Sequence, residues 1–280
     1  MHRDHQATGM RKPGGGSRFA MLATRASTAA ALSFALIGGI GGTTAAHAAD
    51  TLPSKAPPAK AAPAKIYSTI LFSGFDARDR SYYGFGGVIH ALNGNLATDG
   101  FMVRLFGYYN PYDYDSTAVV GGKVDGRLDA YDAVIGYQKY FSNFVGRVYV
   151  GYDYEHHGLS PDNPFDSNRG AQSGVKFRGE IDSFYDSPYY FSVLSSYGSA
   201  KHRYYVRGRA GYNFSGIILG PEAVGTGNPE TDEGRVGAFA TFRTPLLAPV
   251  EISISGGYSN VHANRGGPGG YGTVEVSLAF

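Results

Sequence analysis

From Tyr271 to Phe280 apolar and polar residues alternate, with Val274, Val276, Leu278 and Phe280 on one side and Thr273, Glu275, Ser277 and Ala279 on the other. Successive side chains of a strand point to opposite faces, so this segment predicts a strand with one apolar and one polar face. The same two-residue period recurs upstream. Arg203, Tyr205, Arg207, Arg209 and Asn213 alternate with Tyr204, Val206, Gly208, Ala210, Tyr212 and Phe214. Lys176, Arg178, Glu180 and Asp182 oppose Val175, Phe177, Gly179 and Ile181. Arg147, Tyr149 and Asp153 oppose Phe144, Val148, Val150, Tyr152 and Tyr154, and Glu251, Ser253 and Ser255 oppose Val250, Ile252, Ile254 and Tyr258. No tract sustains a helical period, and no apolar run after residue 65 approaches a membrane helix in length.

The pattern predicts twelve strands, near 66–75, 81–92, 101–110, 124–140, 144–155, 172–184, 189–198, 203–214, 216–225, 235–243, 250–259 and 271–280. The first, second and ninth are the weakest, which leaves ten or fourteen open as counts. With both chain ends in the periplasm, the short connections 93–100, 141–143, 185–188, the one around Ser215 and 244–249 fall on the periplasmic side. The longer ones, 111–123, 156–170, 226–234 and 260–270, fall outside, as in outer-membrane barrels. A soluble sandwich also alternates, so the placement of aromatics discriminates. Phe144 with Tyr152, Tyr189 with Tyr197, and Tyr204 with Phe214 mark both ends of apolar faces, as in the girdles of a membrane barrel. Trp is absent, but 22 Tyr and 17 Phe suffice for the role. The fold class is all-β: an antiparallel transmembrane β-barrel of about twelve strands over 66–280, whose exterior meets outer-membrane lipid. The closing Phe280 resembles the carboxy-terminal recognition signal of bacterial outer-membrane proteins.

The amino-terminal region changes how composition is read. Arg3, Arg11, Lys12, Arg18 and Arg25 precede an apolar stretch from Ala29 to Ile40 and an Ala46-His47-Ala48 site, which predicts a cleaved signal peptide over 1–48. Translation can start at Met1, Met10 or Met21. The segment carries five basic side chains and one acidic, so the formal charge of +2 becomes about −2 once it is removed, which takes away the electrostatic case for nucleic acid. Residues 49–65, rich in Pro, Ala and Lys, predict an extended periplasmic tether. The absence of Cys excludes disulfides and a lipid-modified anchor.

Four motifs carry a family likeness: Ser81-Tyr82-Tyr83-Gly84 with Gly86-Gly87; the run Asp99-Gly100-Phe101-Met102-Val103-Arg104-Leu105; Gly220-Pro221-Glu222 with Gly227-Asn228; and Gly234-Arg235-Val236-Gly237-Ala238. In these the barrel segment resembles the cellulose biosynthesis protein BcsS family of alphaproteobacteria. The resemblance implies an exported accessory of cellulose (exopolysaccharide) biosynthesis, aiding export, assembly or surface attachment of the polymer, that meets cellulose and the cellulose synthase or export machinery; it carries over no catalytic residue. An outer-membrane lipid-modifying enzyme and a general small-solute pore are the alternatives.

The lumen is the main candidate surface. Arg104, Tyr108, Arg147, Tyr149, Arg178, Arg203, Tyr205, Arg207, Glu222 and Arg235 are the candidate saccharide contacts, because aromatic faces stack on sugar rings and charged groups bond hydroxyls. Such a lining passes or holds a polysaccharide, or simply fills a structural core; long Arg and Tyr side chains favour a narrow or closed lumen. Pro221 predicts a bulge or break, with Glu222 paired to Arg235 inside the barrel. Asp153, Glu155, His156, His157 and Asp162 read as a solvated loop; adjacent histidines on a strand face opposite ways, which argues against a metal site. His157 with Ser160, or His202 with Ser199, are the pairs available for acyl transfer, without an evident orienting partner. No cofactor or metal is expected.

Overall fold

The computed structural model describes residues 66–184, 187–243, 249–262 and 268–280. The predicted signal peptide (1–48) and tether (49–65) lie outside the described residues, as does part of the turns at 185–188 and 244–249. Twelve strands follow one another: β1 (Thr69–Arg78), β2 (Ser81–Ala91), β3 (Gly100–Asp115), β4 (Lys123–Tyr140), β5 (Phe144–Ser160), β6 (Gly170–Ser183), β7 (Tyr189–Gly198), β8 (Arg203–Phe214), β9 (Ile217–Asn228), β10 (Thr231–Phe242), β11 (Val250–His262) and β12 (Gly269–Ala279). Each pairs antiparallel with the next, and β1 pairs with β12 to close the ring. At the seam the Ser68 and Thr69 amides both donate to the Phe280 carbonyl at 2.9 Å.

Alternation sets the two faces. On β5, Val148, Val150 and Tyr152 are exposed on the outer surface while Tyr149, Asp153, Glu155 and His157 are buried inside. Tyr189, Tyr197, Tyr204 and Phe214 are outward and exposed as well. An apolar exterior around a polar interior inverts the soluble pattern and is the surface lipid requires.

The strands run further than alternation alone predicts. β3 continues past Asn110 to Asp115, β5 past Glu155 to Ser160, β9 past Gly225 to Asn228, β10 begins at Thr231, and β1 is displaced to 69–78. All these extensions lie at the far end, opposite the end that carries Thr69 and Ala279. The far connections shrink accordingly to 79–80, 116–122, 161–169 and 229–230, 199–202 stays as predicted, and the near connection 92–99 is longer than most of them. Connection length therefore does not separate the two ends as expected; protruding strands do. The β3 extension passes through Pro111, which has no N–H to donate. The ladder to β2 is interrupted there, between Ser81↔Tyr112 and Gly84↔Tyr109, while pairing to β4 continues through Pro111↔Arg127. The Asn110 side chain replaces the missing donor, giving its amide to the Tyr82 carbonyl at 2.7 Å and to Ser81 Oγ at 2.8 Å.

Candidate functional site in the barrel lumen

A cavity of about 430 Å³ lies inside the barrel. Of the ten residues expected in the lumen, Arg104, Tyr108, Arg178, Arg203, Tyr205, Arg207, Glu222 and Arg235 line it. Arg147 and Tyr149 also point inward but sit below it, Arg147 on Asp182 at 2.7 Å and Tyr149 against Met102.

Ion pairs hold most of these side chains to the wall. Arg104 meets Asp132 at 2.6 Å, Arg203 meets Glu155 at 3.0 Å, and Arg178 meets Glu180 at 2.5 Å. Arg207 and Arg209 share Glu275 at 2.8 and 3.0 Å. The expected Glu222–Arg235 pair does not form. Glu222 stands directly across the β8–β9 ladder from Arg209, which it meets at 2.5 Å, and it accepts from the Tyr271 hydroxyl at 3.1 Å. Arg235 stands opposite Val224 instead and binds Asp76 at 2.7 Å and Glu233 at 2.6 Å. Asp76 also accepts from Thr273 Oγ1 at 2.6 Å. Register thus decides the partner where inward direction alone does not. Pro221 interrupts the ladder to β8 without adding a residue to β9, so it is a break and not a bulge.

One side of the lumen is aromatic. Phe72 on β1, Tyr83 and Phe85 on β2, and Phe106 and Tyr108 on β3 form a continuous slab, with ring centroids 5.7 to 6.3 Å apart. The glycines between them make the space: a Cβ on Gly74 would lie 2.3 Å from the Phe85 ring. Arg104 lies over Phe106, 4.4 Å from its centroid. Of this slab the alternation in the sequence points to Tyr108 but not to Phe72, Tyr83, Phe85 or Phe106; on β2 it is diluted by Gly84, Gly86 and Gly87.

Structural elements narrow both ends of the lumen. At the far end, residues 161–169 form a strap. Asp166 accepts from Tyr114 on β3 at 2.8 Å, and Asn168 donates to Asn228 on β9 at 3.3 Å. β3 and β9 lie diametrically opposite in the ring, so the strap crosses the mouth. Lys201 ties it further through the Arg169 carbonyl, and Ser167 through Glu230. At the near end, Leu96 from the turn 92–99 and Ile89 pack against Met102, Val134 and Tyr149, while Tyr190, Ile218 and Phe239 form a second inward cluster. Gln138 pins that turn by donating to the Leu96 and Thr98 carbonyls at 2.9 and 2.6 Å. On the same turn the Tyr140 amide, and then Lys139, hold the Asp99 carboxyl below the ordinary carboxylate range. That contact supports the turn above the pKa of the unfolded carboxyl and is lost as acidification passes the lowered value.

The predicted solvated loop at Asp153–Asp162 is mostly strand. Asp153, Glu155 and His157 are buried in the lumen, and His157 Nδ1 lies 2.9 Å from the Tyr112 hydroxyl. His156 points the other way, toward Asp129. Backbone pairing with β4 and β6 carries these residues past the point where apolar alternation stops. Among the described residues no three His, Asp or Glu side chains gather as a metal-binding group. The acyl-transfer pairs are engaged elsewhere: His202 bonds the Tyr197 hydroxyl at 2.8 Å, and Ser199 Oγ accepts from the Val175 amide at 2.8 Å.

A family model described as cellulose biosynthesis protein BcsS matches residues 70–280. No curated protein matches the chain in sequence. Among solved structures, the barrel is similar to the KdgM porin in complex with disordered oligogalacturonate, at 11% identity over 75% of this chain and 99% of that one, with a TM-score of 0.42. It is also similar to the transport unit of the autotransporter AIDA-I from Escherichia coli, at 10% identity over 78% and 92% of the two chains and a TM-score of 0.45. LpxR from Salmonella typhimurium is a third, at 12% identity over 76% and 100% and a TM-score of 0.44.

Proposed function

The chain belongs to the cellulose biosynthesis protein BcsS family, and from that membership we propose that it is an outer-membrane accessory of bacterial cellulose biosynthesis that assists assembly or surface attachment of the polymer. The apolar exterior supports insertion in the outer membrane, with the end carrying Thr69 and Ala279 toward the periplasm and the protruding β3–β5 strands outside. The narrowed lumen supports the choice between modes of action. A strap across one mouth, apolar clusters at the other and ion pairs between favour a barrel that holds or presents a glucan over one that conducts it. The cellulose synthase or export machinery is the partner this reading calls for.

Deletion of the gene is the direct test. Cellulose output or its display at the cell surface is expected to fall several-fold and to be restored by the wild-type chain; unaltered cellulose on both measures contradicts the reading. Conductance tests the mode of action. Planar bilayers containing the full chain are expected to show no steady ohmic current, and a stable open channel would support the small-solute pore instead. An altered lipid A mass spectrum with normal cellulose would support the lipid-modifying enzyme.

A further inference from the structure

Resting on the cellulose reading, we propose that the lumenal cavity is a binding chamber for a short stretch of neutral β-linked glucan, held between the aromatic slab of β2–β3 and the facing wall of β8. The two walls lie opposite each other: β2 and β8 are six strands apart in a ring of twelve. From one side come Tyr83, Phe85 and Tyr108, and from the other Arg203, Tyr205 and Arg207, all lining the cavity.

A β-1,4-linked glucan is a flat ribbon. Its hydroxyls are equatorial and lie along the edges, and its axial C–H groups make both faces apolar. A flat aromatic surface therefore complements a face, and charged donors and acceptors complement the edges. An α-linked glucan coils and presents no such face. The volume of about 430 Å³ falls within the roughly 300–1,000 Å³ of small-molecule sites. It suits a segment of one chain and not a bundle.

A second observation is independent of shape. Asp76 Oδ1, Arg104 Nε and Arg207 Nε are buried without a hydrogen-bond partner, and all three residues line the cavity. Asp76 and Arg104 are 1% and 2% exposed. Buried polar atoms rarely go unpaired, and the several hydroxyls of a sugar chain, each able both to accept and to donate, can satisfy donors and an acceptor on different walls. The described lining carries eight carboxylates and seven Lys or Arg side chains, most of them paired with one another. A lining so balanced offers no net positive charge to draw in a uronic acid or a phosphorylated sugar, so the ligand is neutral.

The test is calorimetric titration of the full chain, purified in detergent, with cellohexaose and with maltohexaose. Cellohexaose is expected to bind saturably at one per barrel and maltohexaose at least tenfold more weakly. Tyr108→Leu and Tyr205→Leu are each expected to weaken cellohexaose binding roughly tenfold. Tyr152→Leu, on the outer face, is expected to leave it unchanged. Heat-modifiable migration on a gel selects folded variants before titration. No cellohexaose binding by the folded wild type overturns the chamber, as does undiminished binding by both lumenal variants; equal binding of the two sugars overturns its β-linked specificity. Absent binding combined with cellulose loss on gene deletion removes the chamber alone. Binding combined with normal cellulose in the deletion strain keeps the chamber and removes the pathway reading.

Discussion

Arg235→Ala is expected to lower the unfolding free energy of the detergent-solubilised barrel by about 3–5 kcal/mol, read from urea denaturation. Arg235 is buried, and it holds two carboxylates, Asp76 and Glu233, at 2.7 and 2.6 Å while lying over the Tyr271 ring at 5.1 Å. Its removal leaves Asp76 with Thr273 alone and Glu233 with Arg78 and Ser259. The cost arises from stranding buried charge, not from the attraction lost, so it differs from that of a rim pair. Arg243→Ala provides the comparison. Arg243 meets Glu251 with 42% of its side chain exposed, and its loss is expected to cost no more than about 1 kcal/mol. Equal destabilisation by the two replacements would refute the account of the seam network.

Gly220→Val is expected to abolish folding, read as loss of the heat-modifiable band and of strand signal in circular dichroism. A Cβ at Gly220 on β9 would lie 1.9 Å from the Ala210 carbonyl oxygen and 2.6 Å from the Gly211 Cα on β8. Both obstacles are backbone, so no side-chain rotation relieves them. The close approach falls where the β8–β9 ladder is interrupted, between Arg209↔Glu222 and Tyr212↔Leu219, beside the proline that cannot donate. Overpacking in a core costs about 1–3 kcal/mol, and a clash with the neighbouring strand exceeds that range. Gly208→Val provides the comparison on the neighbouring β8, where nothing lies within 4 Å of the added carbon, and it is expected to fold normally. A folded Gly220→Val barrel would show that the two strands can part at this point without loss.

The sequence made the strand number, the closed sheet and the inward direction of the charged residues legible, because lipid outside and water inside impose a two-residue period that survives in β5, β6, β8 and β12. What it hid follows from the same physics. Beyond the lipid no face has to be apolar, so the far ends of β3, β5 and β9 lose their alternation while their backbone ladders continue. Asp76 escapes the sequence pattern because the predicted first strand ends at Phe75, one residue short. The pairing of Glu222 with Arg209 and not Arg235 depends on register, and inward direction is the same for both candidates. The strap 161–169 carries no periodic signal at all; Asn163, Asp166 and Asn168 look like ordinary loop residues until Tyr114 and Asn228 are seen on opposite walls.

The ion pair at the β1–β12 seam has a bearing on biogenesis. Asp76 comes from the first strand, Arg235 from the tenth and Thr273 from the last, separated from Asp76 by 159 and 197 positions along the chain. No hairpin and no partly wound sheet brings the three together. Until the first and last strands meet, the Asp76 carboxylate stays apart from Arg235, which lies two strands in from the other margin and holds Glu233 of its own strand. The final union of the margins brings that guanidinium onto Asp76 together with the Thr273 hydroxyl, so the molecule carries its own checkpoint of completion, and an intermediate lacking even one strand fails it.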